Sequence, residues 1–202
     1  MKKIALTSLL AIFVSSVASA ETNYFVGGSA AVVTNNDHST VLGVSPEFGW
    51  KYNSDWDFGV AANFGYDHKY LVNRYGLDGE AYEYGAGVFA RYKVAQFGGV
   101  KLLLKGSVGA DFTTLSPDNS AIDSETLTSI NANIIPMITY DISESFTLYA
   151  NLNFLGVGAG YTFGDKKNIM LDKNDSWQYG AIIDADDVAN TGNFQIGFSY
   201  NF

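Results

Sequence analysis

The stretch Phe194 to Phe202, FQIGFSYNF, puts Phe194, Ile196, Phe198, Tyr200 and Phe202 on alternate positions, with Gln195, Gly197, Ser199 and Asn201 between them. Successive side chains of a strand point to opposite faces, so this reads as a strand with one apolar face and one polar or small face. The same alternation runs back through the chain. Leu42, Val44, Pro46, Phe48, Trp50 and Tyr52 alternate with Gly43, Ser45, Glu47, Gly49 and Lys51. Trp56, Phe58, Val60, Ala62, Phe64 and Tyr66 alternate with Asp57, Gly59, Ala61, Asn63 and Gly65. Further copies run through Tyr82 to Val94, Val100 to Phe112, Ile130 to Tyr140 and Phe146 to Phe154. With the first segment, Asn23 to Val33, there are eight.

These segments approach the roughly 9 to 11 residues of a tilted transmembrane strand, longer than the usual ~5 to 6 of a soluble one. Their connections alternate. They are short around Asn53-Ser54-Asp55, Ala95 to Gly99 and Asp141 to Ser145, and long at Asp67 to Gly79, Thr113 to Thr128 and Asp165 to Asn190. Thr34 to Thr40 would be the first and shortest long-side loop. The expected fold is all-β: an eight-stranded antiparallel up-and-down transmembrane β-barrel. A soluble barrel with its apolar face inward shows the same periodicity, so volume has to decide. Eight strands enclose a space just wide enough for side chains, and faces this rich in Phe, Tyr and Trp do not fit inside it. No Asp, Glu, Lys or Arg falls on the apolar face of the seven clear segments. A charge facing lipid at mid-depth would cost about 2 to 4 kcal/mol. Aromatic residues collect at segment ends as two girdles: Trp50, Tyr52, Trp56, Phe58, Tyr92, Tyr140, Phe146, Tyr200 and Phe202 near the short turns, with Tyr66, Tyr82, Tyr84 and Phe112 toward the long loops.

Some residues resist this scheme. Pro46 and Pro136 lie inside strands of a structure with no free edge, where each should cost a ladder hydrogen bond, with a bulge expected at each. After Phe154 the apolar phase moves to Val157, Tyr161 and Phe163 across Gly156, Gly158 and Gly160, the mark of a bulge or early strand end. The first segment, YFVGGSAAVV, has no decisive polar face, and its orientation stays unassigned.

The amino-terminal MKKIALTSLLAIFVSSVASA combines Lys2 and Lys3, an apolar stretch and Ala18-Ser19-Ala20. That is the pattern of a secretory signal peptide cleaved between Ala20 and Glu21, leaving residues 21–202 as the barrel domain. The apolar run is short for a helical span. The chain has no cysteine, which excludes disulfides and a cysteine-linked lipid anchor. After loss of Lys2 and Lys3, ten basic side chains face 21 acidic ones, a balance opposed to nucleic-acid binding.

With the closing FQIGFSYNF in view, the chain resembles the small eight-stranded outer-membrane barrels of the OmpX, OmpA-barrel and Opa type, the porin-like outer-membrane proteins. The resemblance spans the mature chain and is architectural apart from that segment. Phe198, Tyr200 and Phe202 are similar to the carboxy-terminal signal that barrel-assembly machinery reads in this family. It implies an integral multi-pass protein of a Gram-negative outer membrane, its amino terminus in the periplasm and periplasmic chaperones met on the way. It further implies contact with membrane lipid and lipopolysaccharide, and a monomer; unlike full-length OmpA-type proteins the chain stops at the barrel, so no peptidoglycan-binding domain is expected.

The inward charges are Glu47, Lys51, Asp57, Glu83, Arg91, Lys93, Lys101, Lys105 and Asp111. In a narrow lumen they must pair or meet water, because unpaired buried charge is expensive. Centring the first short turn on Ser54 sets Trp50 opposite Phe58 and Lys51 opposite Asp57, which predicts a luminal salt bridge between the last two. Such a network reads either as a structural plug or as an ion path. His38 and His68, with Asp37, Ser39 and Asp67, would be the residues of a lipid A-modifying enzyme, but nothing in their spacing sets a base against a nucleophile. The last loop carries Asp165, Asp172, Asp175, Asp184, Asp186 and Asp187, yet neither DKNDSW nor DADD has calcium-loop spacing. Its apolar residues, Trp177, Tyr179, Ile182 and Ile183 among them, suit strands carried on above the membrane or a partner contact. No catalytic motif, cofactor or metal site is expected. The expected role is structural or adhesion-like, through a surface or host ligand at the outer loops, with a narrow channel as the alternative and a lipid-directed enzyme as the third.

Overall fold

The computed structural model describes residues 23–34, 40–67, 78–119, 124–153, 155–163, 175–183 and 194–202. They form ten strand segments: β1 (Tyr24–Thr34), β2 (Thr40–Lys51), β3 (Trp56–Asp67), β4 (Gly79–Phe97), β5 (Val100–Pro117), β6 (Glu125–Asp141), β7 (Phe146–Leu152), β8 (Leu155–Phe163), β9 (Asp175–Ile183) and β10 (Phe194–Asn201). Every pairing among them is antiparallel, and β10 returns to β1 through Phe25↔Asn201 to Ala30↔Ile196. β7 and β8 both pair with β6 and make one stave; β8 carries β9 while β7 carries β10, which make another. The barrel therefore closes with eight staves, as the alternation predicts.

Orientation follows from exposure. Val44, Trp50, Val60, Phe64, Tyr84, Val88, Val108, Ile134 and Phe198 stand on the outside with large exposed apolar surfaces. A continuous band of this kind has lipid as its natural solvent. β1 takes the orientation its sequence left open: Tyr24 is exposed outward, while Phe25 and Ser29 are buried in the lumen.

The girdles form as ring contacts. At the short-turn end Trp56 lies 4.9 Å from Tyr92 and 5.9 Å from Phe58, and Phe146 lies 5.8 Å from Phe198. At the other end Tyr66 meets Tyr82 at 5.2 Å and Tyr84 meets Phe112 at 5.3 Å.

The two prolines behave differently. On β2, Lys51 donates its N–H to Asn23 on the β1 side, so by alternation the even residues, Pro46 included, turn their nitrogens to β3. The β2–β3 ladder skips Ser45 and Pro46 but resumes in the same register, Val44↔Phe64 and Glu47↔Ala61. A bond is lost without the expected bulge, because the flanking ladder holds the register on both sides.

Pro136 turns its nitrogen toward β7 and β8, since Asp141 donates to Gly99 on the β5 side. The wall is broken there: Met137↔Asn151 gives way to Ile134↔Val157, so three residues of β6 span six of its neighbour. The proline sits where no partner waits for its missing N–H. The same break moves the outward phase from Leu148 to Leu155 and Val157, the switch expected after Phe154.

Strands β4, β5 and β6 run for 19, 18 and 17 residues, well past the ~9 to 11 that cross lipid. The connection expected from Thr113 to Thr128 is accordingly corrected. Its flanks stay in ladder up to Leu115↔Glu125, with Leu115 and Leu127 both buried. The turn expected from Ala95 to Gly99 also tightens: Phe97 pairs with Val100, and Gly98 takes a φ of 61°, which glycine adopts without strain.

Candidate functional site

Inside the barrel, side chains from five staves meet at one level. Glu47 comes from β2, Phe89 and Arg91 from β4, Lys105 from β5, Tyr149 from β7 and Phe25 from β1. Arg91 and Glu47 form a close salt bridge and are each only 4% exposed. Lys105 Nζ lies 3.5 Å from the second Glu47 oxygen. The Arg91 guanidinium stacks over three rings, at 5.1 Å from Phe25, 4.6 Å from Phe89 and 5.3 Å from Tyr149, and Lys105 stands 4.9 Å from Phe89. One carboxylate is thus shared by two cations, and the rings supply π-faces in place of water. Cation–π contacts away from solvent are worth about 2 kcal/mol or more each, and together with the Glu47 pairing they offset the cost of burying the two cations.

Large rings were not expected in so narrow a lumen, and the sequence reading is corrected here. Each ring fits because the residue directly across the ladder is glycine: Phe25↔Gly49, Phe89↔Gly59 and Tyr149↔Gly197. A Cβ on any of the three would run into the facing ring. An inward aromatic opposite an inward glycine is the sequence signal that reveals them. Leu103 and Met137 pack with Tyr149 and make the plug apolar on that side.

The plug divides the lumen. Toward the short turns lies a chamber of only 50 Å³, lined by Lys51, Asp57, Lys101, Asp141 and Ser199 among others. Lys51 and Asp57 are cross-strand partners in the expected register, and Asp57 faces Arg91 on its other side. Among the described residues, however, the ion pairs near this end are Lys101–Asp141 at 2.6 Å and Lys93–Asp55 at 3.0 Å, and the expected Lys51–Asp57 bridge is not one of them. Asp57 lies between two cations and is not drawn to one. Lys93, on the inward face with its ladder partner Leu103, reaches the exposed turn carboxylate Asp55, and this contact holds the Asp55 carboxyl below the usual range.

Toward the long loops lies a larger chamber of 590 Å³, walled by Ser29, Asn63, Glu83, Ser107, Asn133 and Asn151 and floored by Lys105. Asp111 accepts from Asn63 Nδ2 at 3.2 Å and Asn131 Nδ2 at 2.9 Å. His38, His68, Asp37 and Ser39 lie outside the described residues. Among the described residues no group of three His, Cys, Asp or Glu is placed to hold a metal ion.

The structure thus defines an eight-stranded transmembrane β-barrel with a closed waist, the fold of the small outer-membrane barrels. Its similarity to solved structures is of that kind. It resembles Neisserial surface protein A (NspA), with 15% identity over 90% of this chain and 98% of that one at a TM-score of 0.47. It resembles a major outer membrane protein from Thermus thermophilus, with 14% identity over 91% and 100% at 0.47. It is similar too to Ail, the attachment invasion locus protein of Yersinia pestis, with 15% identity over 89% and 96% at 0.40. No protein-family model and no curated protein sequence matches the chain.

Proposed function

We propose that this chain is an integral protein of a bacterial outer membrane that works through the surface it presents at its long-loop end, in an adhesion-like or structural role, and not as a conduit. The observation that carries this reading is the waist. A buried Arg91–Glu47–Lys105 cluster packed on Phe25, Phe89 and Tyr149 fills the lumen between the two chambers. Strands β4, β5 and β6 meanwhile spend much of their length beyond the lipid, raising a rigid platform under the loops. Loops on a rigid scaffold are the usual seat of recognition.

In the same reading the first twenty residues are a cleaved export signal and the amino terminus lies in the periplasm. Phe198, Tyr200 and Phe202 address the chain to the barrel-assembly machinery, and the protein is a monomer without catalytic activity. The test has two arms. Purified barrel in a planar bilayer should add no conductance, and cells displaying it should bind a surface ligand that cells displaying a barrel with clipped long-side loops do not. Stable channels from the wild-type protein would overturn the reading in favour of a narrow pore. A changed lipid A mass profile that depends on His38 or His68 would overturn it in favour of an enzyme.

A further inference from the structure

We propose that the outer luminal chamber is a binding site for a small linear organic cation rich in hydrogen-bond donors, of the aliphatic polyamine class. At 590 Å³ the chamber has the size of a small-molecule pocket, which commonly spans ~300 to 1,000 Å³. Its lining runs up the barrel from Lys105 at the floor to Glu83 and Thr113 toward the long loops.

Two acceptors among its lining side chains, Glu83 and Asn151, lack a cation or a donor among the described residues. Glu83 projects into the chamber and has no cation within ion-pair distance among the described residues. Asp111, on the adjacent strand and the same inward face, is held by the amides of Asn63 and Asn131 and by no cation among the described residues, so its charge stays unneutralised. Deeper in the chamber Asn151 is 2% exposed, and its Oδ1 has no hydrogen-bond partner while its amide donates to Gln195 at 3.4 Å. A buried carbonyl oxygen without a donor carries a cost that a ligand N–H removes. Lys105, the cation at the floor, is already engaged by Glu47.

The Glu83 carboxylate on the upper wall, with the Asp111 charge beside it on the next strand, and an orphan acceptor below match ammonium and secondary-amine groups spaced along a flexible chain. A metal ion fits poorly, because these acceptors sit at different heights and do not converge on one point. A neutral sugar leaves both carboxylates without a counter-charge. The inference is independent of the surface-contact role, since it concerns the lumen above the plug.

The experiment is a titration of the full barrel in detergent micelles with spermidine, followed by calorimetry and by backbone amide shifts, with sucrose and Mg²⁺ as comparison solutes. The expected result is saturable one-to-one binding of spermidine that perturbs the amides around Glu83, Asp111 and Asn151. Glu83→Gln should weaken it about tenfold, the loss of one charge-assisted hydrogen bond, and Asn151→Ala should weaken it less. The wild-type shift pattern of unliganded Glu83→Gln certifies its fold. Absence of saturation, equal affinity in Glu83→Gln, shifts confined to loop residues, or equal competition by Mg²⁺ would each overturn the proposal.

Discussion

At the residue scale the barrel turns on Glu47. It is the only anion in contact with Arg91 and Lys105 among the described ion pairs, so its removal leaves two cations at the waist without a counter-charge. Glu47→Gln is expected to destabilise the barrel by about 3 to 5 kcal/mol, the usual cost of breaking a buried pair from one side. A urea unfolding titration followed by tryptophan fluorescence measures it, and an unchanged midpoint would refute the assignment. The Asp55–Lys93 pair at the turn behaves otherwise, being exposed to water. Its folded-state carboxyl titrates below the unfolded value of about 3.9, so its contribution is complete above that pH. It fades as pH falls through the lower folded value. The stability difference between wild type and Asp55→Asn should therefore be present at neutral pH and vanish in strong acid, which thermal melts at a series of pH values will read.

At the element scale, what could be read from sequence depended on whether a strand's two faces differ in chemistry. β2, β3 and β10 announce themselves because bulky apolar positions alternate with polar or small ones. β1 does not: its middle is Gly27, Gly28, Ser29, Ala30 and Ala31, small on both faces, and the inward Phe25 looks like one more lipid-facing ring. Its direction is set across the ladder, by Gly49 making room, and a single strand's periodicity carries no such information. The upper halves of β5 and β6 were hidden for a related reason. Thr113, Thr114 and Thr126 leave the lipid-facing pattern once the strand rises out of the membrane, although the ladder continues.

The ring-and-glycine pairing gives a prediction specific to these elements. Gly59→Ala should displace the Phe89 ring and cost about 1 to 3 kcal/mol, the scale of overpacking. Gly43→Ala, on the chamber wall with nothing within 4 Å of the added carbon, should leave the midpoint unchanged or raise it slightly. Equal effects at both positions would mean that the rings do not depend on those glycines. For β10, Phe202 donates its backbone N–H to Tyr24 and sets its ring 5.1 Å from Tyr200 at the closing seam. If it also carries the assembly signal, Phe202→Ala will lower the amount of folded barrel in cell membranes more than it lowers the in vitro unfolding midpoint.

At the scale of the whole molecule, eight amphipathic strands with lipid-facing aromatics leave one architecture open, and the closing segment Phe194 to Phe202 already states the rule that generates it. How the lumen is filled was only partly legible, because filling is a property of four or five strands at once. The inward charges could be named one by one, but not which would meet. Glu47 reaches Arg91 two staves away, not the residue directly opposite, and rings take space that was expected to hold only small and polar side chains. The closed waist has a consequence for transport. Replacing Phe89 and Arg91 together by alanine removes both the bulk and the buried charge, and should join the 50 Å³ and 590 Å³ chambers into one aqueous path. The variant must be shown to fold, by a wild-type β circular dichroism spectrum and a shifted mobility on an unheated gel. In a planar bilayer it should then give discrete conductance steps where the wild type gives a flat trace. Glu47 remains in the widened lumen with Lys105 as its ion-pair partner, and the upper wall keeps Glu83, with Asp111 on the same inward face of the next strand, so the current should favour cations. A folded variant as silent as the wild type would locate the barrier elsewhere, in the loop end, and would show that the waist is a structural core and not the seal.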